Sequence, residues 1–492
     1  MAEAQVHRGP DDTGFIWAEG NDFPEMGLCG LASNRLAIID LDPRGNMPMF
    51  GGKDGNWLVI VHSGEIYNYR ELRAELSDYP FRTGTDTEVI LAAYDRWGAD
   101  CVKRFNGMFA FAIWDGVKQE LFCARDRLGQ KPFYWAWIGD NFVFASEIKG
   151  ILAAGFNTEA DYPLVKEYLS TGLLDHTTST WFEKIGTLSA GTTMRIARDG
   201  APSCPVPRIA ENRYWRLPTE QVDLTDAEAH TDFMHLLIDS VRLRLRSDVA
   251  VALNYSGGLD STALITLMPS ATWITFNDDY EQVRETLPNA VRALEHPLGS
   301  LETLSYFNHH RNVQTQGFKV VLDGNGADEI LGGYPWYDPT KPLRPQLERD
   351  LLSAKLPRVL RMNDRLSMAH GIELRSPFLD HRLVEFCFSL PDRFKIRDGH
   401  GKWLLRYAMN DWRPKVQQTD TLALLIGPLR GYVEEIIHSP EFVSRGLWDA
   451  STVQSDYLTL CEAGAGQEHD RTPVPIWRYI STELWFREFI DG

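Results

Sequence analysis

Short apolar runs recur between residues 14 and 196, at 15–17, 36–39, 58–61, 109–114, 121–124, 133–137 and 142–145, with turn residues between them. Runs of this length and spacing predict antiparallel strands. Among them, Thr85-Asp86-Thr87-Glu88 has the spacing of a capping box and predicts a helix whose Val89, Ala92, Ala93 and Trp97 share one face. The sum is a layered α+β domain. The stretch 198–221 holds Pro202, Pro205, Pro207 and Pro218 and little apolar periodicity, which predicts a linker with a domain boundary near 210. Beyond it the pattern changes to an amphipathic helix from Asp226 to about Arg246, an apolar strand at 249–253, a Gly-rich turn and a helix at 262–268. Further strands are predicted at 273–276 and 319–322. Alternation of strand and helix predicts a parallel α/β sheet, whose ligands sit at the carboxyl ends of the strands. From about 345 the chain is predicted to be mostly helical.

At 492 residues the chain exceeds what one core usually supports, so two domains of about 200 or more residues are expected. The balance of 50 basic against 68 acidic residues, net charge −18, argues against binding nucleic acid or an anionic membrane by bulk attraction. Any phosphate must be held locally. The six cysteines, at 29, 101, 123, 204, 387 and 461, form no C-x-x-C pair or zinc-like spacing and are expected to be reduced, in a cytosolic compartment. The sequence carries no apolar signal core at Met1–His7 and no run near about 18 apolar residues, so a soluble cytoplasmic protein is expected.

The most specific chemistry is Ser256-Gly257-Gly258-Leu259-Asp260-Ser261, between strand and helix. Such a turn leaves backbone N–H groups unpaired at a helix N-terminus, where they cradle an anion, and the Ser256 and Ser261 hydroxyls add donors. Asp260 would be out of place beside phosphates unless a divalent cation stood between them, so a nucleotide with magnesium is implied. The loop lacks the Gly-Lys-Ser/Thr of a Walker motif, and an ordinary Ser/Gly turn is the alternative. The third strand runs into Asp323-Gly324-Asn325-Gly326-Ala327-Asp328-Glu329, placing Asp328 at a second strand end of the same sheet. Asp260 and Asp328 then make a candidate magnesium site, although Asp-Gly-Asn-Gly also suits a hairpin. His370–Asp380, with Glu373, Arg375 and Asp380, taken alone suggests a salt-bridge cluster at a helix end, and Lys415 a surface lysine.

These segments, in this order, resemble the asparagine synthetase family. The first half adds His7-Arg8-Gly9-Pro10-Asp11-Asp12, Arg35–Asp40, Gly64-Glu65-Ile66-Tyr67-Asn68, Thr85–Glu88, Phe105–Phe111 and Ala124–Pro132, so that the resemblance spans nearly the whole chain. It implies a glutaminase-like domain of the N-terminal-nucleophile type over 1–205 and a PP-loop ATP pyrophosphatase domain, adenine nucleotide α-hydrolase-like, over 222–492. The implied substrates are ATP with Mg2+, a small-molecule carboxylate, and ammonia, an amine or glutamine. A homodimer is the candidate assembly, without nucleic acid or membrane. In such enzymes the carboxylate attacks the α-phosphate, pyrophosphate leaves, and ammonia opens the acyl-adenylate. Residue by residue, the resemblance puts Ser256, Gly257, Gly258, Asp260 and Ser261 on the pyrophosphate and Asp260 and Asp328 on magnesium. Asn254, Thr275, Asp323 and Gly324 fall near the adenosine. Lys415 would neutralise charge on the phosphates, and Glu373 would orient the acceptor side or help move a proton. Arg35, Ser63, Gly64, Glu65 and Asp86 match the glutamine pocket.

Three departures stand out. The family's glutaminase uses a cysteine exposed as the first residue, and here the second residue is Ala2. Ser63 also occupies the place of an asparagine whose amide stabilises the oxyanion. Losing one such donor costs about 10²–10³ in rate, so a vestigial glutaminase is expected, with a truncated sequence as the alternative account of the missing cysteine. Asn325 replaces a glutamate beside the acceptor, and a neutral amide cannot pair with an ammonium as a carboxylate does, so aspartate as acceptor is in question. The interval between Asp260 and Asp328 is shorter than in the family. The expectation is an AMP-forming amide ligase using ammonia or another amine, with a conventional glutamine-dependent synthetase and a non-catalytic binding protein as rivals.

Overall fold

The computed structural model describes residues 1–17, 29–53, 57–197, 208–276, 283–338, 340–412, 421–463 and 474–492. The first half is built on a six-stranded antiparallel sheet in the order Arg208–Arg213, Thr192–Ala197, Glu120–Arg125, Gly107–Asp115, Leu58–Ile66 and Met49–Gly51. Its period-2 alternation feeds two cores. Phe109, Phe111 and Ile113 face the helix Asp86–Trp97, whereas Ala110 and Ala112 pack with Val59, Val61, Cys123 and Leu31 on the opposite face. Strands Asp12–Trp17 and Gly30–Arg35 form a separate antiparallel pair, and Tyr134–Ile138 lies between Asn141–Ala145 and Gly186–Thr187 in a third sheet.

Three expectations are corrected here. The run at 36–39 is a loop, because the Arg35 guanidinium draws the carbonyls of Ile39, Asp40 and Asp42 around itself and turns the chain out of the strand. The predicted linker contains the strand Arg208–Arg213, paired in register with Thr192–Ala197, so the sheet of the first half runs to Arg213, past the expected end at 205. Pro202, Pro205 and Pro207 lie outside the described residues. Only half of the predicted capping box forms at 85–88. Thr85 accepts from the Glu88 N–H at 3.2 Å, but the Glu88 carboxylate turns to the N–H groups of Arg82 and Thr83 and the Thr83 hydroxyl.

The second half opens with the helix Asp226–Arg244, whose Thr225 and Glu228 make a complete reciprocal cap. Behind it stands a four-stranded parallel sheet in the order Thr272–Thr275, Val251–Tyr255, Val320–Leu322 and Glu373–Arg375. The fourth strand was not expected. A Glu-Leu-Arg tripeptide does not look like a buried strand, yet Glu373 and Arg375 are both buried and compensate each other's charge. Most of the remaining chain is helical.

The halves share an interior. One apolar cluster combines Tyr134, Tyr168 and Phe182 with Val291, Trp477 and Trp485. Beside it runs a buried ionic network in which Arg8 meets Asp364 at 2.7 Å and Glu147 at 2.9 Å, and Arg365 meets Glu295 at 3.2 Å and Glu147 at 3.4 Å. Among the described residues no helix is long and apolar enough to cross a membrane.

Candidate functional site

The strand Val251–Tyr255 ends in Ser256-Gly257-Gly258, and the helix Leu259–Leu267 begins at once, with Gly258 as its N-cap. Gly257 adopts φ +75°, a left-handed conformation that a Cβ would strain, and this lets the chain reverse within two residues. The Ser256 and Ser261 hydroxyls stand 3.2 Å apart, and Ser261 donates to the Gly258 carbonyl at 3.1 Å. Asp260 therefore projects from the first helical turn, above the carboxyl end of the sheet.

From the next strand end, Asp328 reaches the same point. Lys402 Nζ stands 2.5 Å from Asp260 Oδ2 and 2.8 Å from Asp328 Oδ1. Burial alone would push the lysine's pKa down, but Asp260 and then Asp328 more than offset it and hold it up. Backbone must come close for this to happen. A Cβ on Gly333 would lie 2.1 Å from both Asp328 Oδ1 and Lys402 Cε, so only a bare backbone fits there. Lys402 was not anticipated. Its signal in the sequence is slight, a lysine after the turn Asp398-Gly399-His400-Gly401, and its side chain is brought inward by the helix Trp403–Met409 that it caps at φ +55°.

The predicted adenosine-side residues line up along the same strand ends. Asn254 is buried, and its Oδ1 lies 2.6 Å from His309 Nε2. Burial pushes His309 down to about 4, so the neutral ring donates here, and its stacking on Phe276 at 3.9 Å fixes its plane. Asp323 accepts from the Ser376 hydroxyl at 2.7 Å and from the Asn325 N–H at 3.1 Å, and the Asn325 amide also bonds it, which turns Asn325 back onto its own loop. Burial raises the Asp323 carboxyl to about 6. Gly324 packs on Asp260, and Thr275 ends its strand exposed to solvent. Lys415 lies outside the described residues.

In the first half a cavity of about 650 Å³ gathers all five predicted pocket residues, Arg35, Ser63, Gly64, Glu65 and Asp86, and Glu373 of the second half lines it too. Arg35 spends donors on loop carbonyls and on Asn46 Oδ1. Glu65 and Asp86 are buried, and burial raises both, Asp86 to about 6, with Glu373 adding to each. Their counter-charge is Arg375, whose Nη2 stands 3.2 Å from Glu65 Oε1 and whose Nε donates to Glu373 Oε1 at 2.8 Å. His62 in the cavity wall is kept neutral by burial, with Lys131 adding, at about 3. Cys29 is half-buried with its thiol pushed up to about 12, a poor nucleophile.

Comparison with known proteins matches residues 1–215 to the glutamine amidotransferase domain family and residues 232–277, 273–349 and 339–487 to the asparagine synthase family. A putative glutamine-hydrolysing asparagine synthetase 2 of Methanocaldococcus jannaschii is 34% identical over 68% of this chain and 72% of its own. Two glutamine-hydrolysing asparagine synthetases of Bacillus subtilis match more of the chain: number 3 at 28% identity over 84% of this chain and 81% of its own, and number 1 at 26% over 99% and 92%.

Proposed function

The chain belongs to the asparagine synthetase family, and we propose that it is an AMP-forming amide ligase that activates a small-molecule carboxylate with ATP and completes the amide with free ammonia. It is an asparagine synthase-like carbon–nitrogen ligase, with ATP as a substrate. The observation that carries the proposal is the convergence of Asp260 and Asp328, from two strand ends, on one buried cation beside a glycine turn of bare amides. The donor set suits magnesium, which is commonly held by one or two carboxylates together with substrate phosphates. When bound, the metal supplies positive charge to the departing pyrophosphate. The chain's own residues do the rest. Ser256, Gly257, Gly258 and Ser261 hold phosphate oxygens, and Lys402, with Lys415, supplies fixed positive charge to them. Asn254 and Asp323 orient the nucleoside, and Glu373 faces the incoming nitrogen.

Pyrophosphate release from ATP should appear with a suitable acid plus ammonium, and Asp260→Ala should abolish it. No release with any of a broad panel of carboxylates would overturn the ligase proposal. Ammonia is preferred over glutamine because Ser63 offers no amide to an oxyanion and Cys29 is held as a thiol. The intact Glu65–Asp86 pocket favours the second reading, in which glutamine is the donor. The same assay separates them: release supported by ammonium and not by glutamine upholds the first, and equal support by glutamine upholds the second.

A further inference from the structure

Asn254 and His309 hold one another in place. Asn254 lies in the strand Val251–Tyr255, and alternation puts it on the face of Ala252, which packs with Val313 of the helix Glu302–Thr315. His309 reaches the amide from that helix, its Nε2 2.6 Å from Asn254 Oδ1, and both residues are buried. The ring is clamped. It stacks on Phe276 with centroids 3.9 Å apart and planes 14° from parallel, Phe276 meets Tyr306 edge-on at 5.0 Å, and the His310 ring stands 5.5 Å away.

The two ends of an asparagine amide have opposite chemistry, Oδ1 accepting and Nδ2 donating. With Oδ1 taken by the imidazole, Nδ2 is the end left over, and it makes no hydrogen bond among the described residues. Asn254 stands two residues before Ser256, at the carboxyl end of the sheet where the phosphate turn begins. A donor fixed at that place matches an acceptor on the ligand, and a purine base offers one at each ring nitrogen that carries no hydrogen.

We propose that His309 is a positioning residue. By donating to Oδ1 it holds the Asn254 amide with Nδ2 toward the nucleotide, so that the strand end selects a base by an accepting ring nitrogen. This rests on the reading of the cleft as the ATP site, and it adds the residue that aims the base-reading amide. Without the imidazole N–H the amide is free to turn and offer Oδ1, which repels the same nitrogen.

The test is calorimetric titration of the full chain, with Mg2+ and without acid or ammonium, by ATP and its 1-deaza, 3-deaza and 7-deaza analogues. Each analogue replaces one ring nitrogen by C–H. The unaltered chain should bind one of the three about tenfold or more weakly than ATP, as expected for a hydrogen bond left unmade. His309→Phe keeps a stacked ring and loses the donor, so that ratio should fall below about threefold, as it should in Asn254→Leu. His309→Gln, which again offers an N–H to Oδ1, should restore it. A histidine that only packs would weaken ATP and all three analogues alike, and an unchanged ratio in His309→Phe overturns the proposal. Equal binding of ATP and all three analogues by the unaltered chain also overturns it, and that comparison needs no variant to fold. A chain that binds no ATP overturns this role and the ligase proposal together. Binding with the expected ratio but without pyrophosphate release in the assay above refutes the ligase proposal alone, and release without the ratio refutes this role alone.

Discussion

Gly333 shows how little room the nucleotide end of the sheet allows. Its hydrogen stands where a methyl would meet Asp328 Oδ1 and Lys402 Cε at 2.1 Å, so Gly333→Ala must push both charged groups aside. Displacement of about 1 Å at a reacting centre costs on the order of 10²-fold in rate, and pyrophosphate release by the variant should fall by that factor while its Tm changes little. Asp323 makes a second prediction. Burial lifts its pKa from 3.8 to about 6. Folding therefore favours the protonated acid, so its contribution to stability is full below about pH 4 and is lost as the pH rises through about 6. Asp323→Asn stays neutral throughout. Relative to the parent, it should gain about 3 kcal/mol between pH 4 and pH 7, roughly two pKa units at 1.36 kcal/mol each. Urea unfolding of both proteins across that range measures the difference.

The strand Glu373–Arg375 carries the largest element-scale consequence. Arg375 compensates Glu373 on its own strand and Glu65 on another, and removing one member of a buried charge set typically costs about 3–5 kcal/mol. Arg375→Met should lose that much in urea unfolding, whereas Glu65→Gln, at a carboxyl that burial already pushes toward its neutral form, should lose far less. This strand also marks where the sequence becomes hard to read. Helix Asp226–Arg244 and strand Val251–Tyr255 were legible because an amphipathic pattern marks the one and a continuous apolar run followed by glycines defines the other. Glu373–Arg375 has no apolar pattern, since its stability comes from ion pairs and carbonyls distant in sequence. Strand Gly30–Arg35 was hidden likewise, because Leu36–Ile39 is the more apolar stretch but Arg35 turns the chain before it. At the site, Asp260 and Asp328 were legible from glycine turns at strand ends. Lys402 was not, because nothing local distinguishes a lysine that will be buried against two acids from one that will face water.

Across the molecule, the ionic network of Arg8, Glu147, Glu295, Asp364 and Arg365 stitches the first 215 residues to the helix Leu356–Met368. Asp364→Asn leaves Arg8 with a weaker partner and should cost about 3 kcal/mol or more, by the same reasoning as for any buried pair broken on one side. Because the apolar cluster of Tyr168, Phe182 and Trp485 is also continuous between the halves, near-UV and far-UV circular dichroism should report one coincident urea transition, in the parent and in this variant. Two halves tied by a shared apolar cluster and a buried ionic network do not part like a clam about a hinge without exposing both. Whatever enters or leaves must do so by small local yielding at the rim, where the loops after the parallel strands meet solvent.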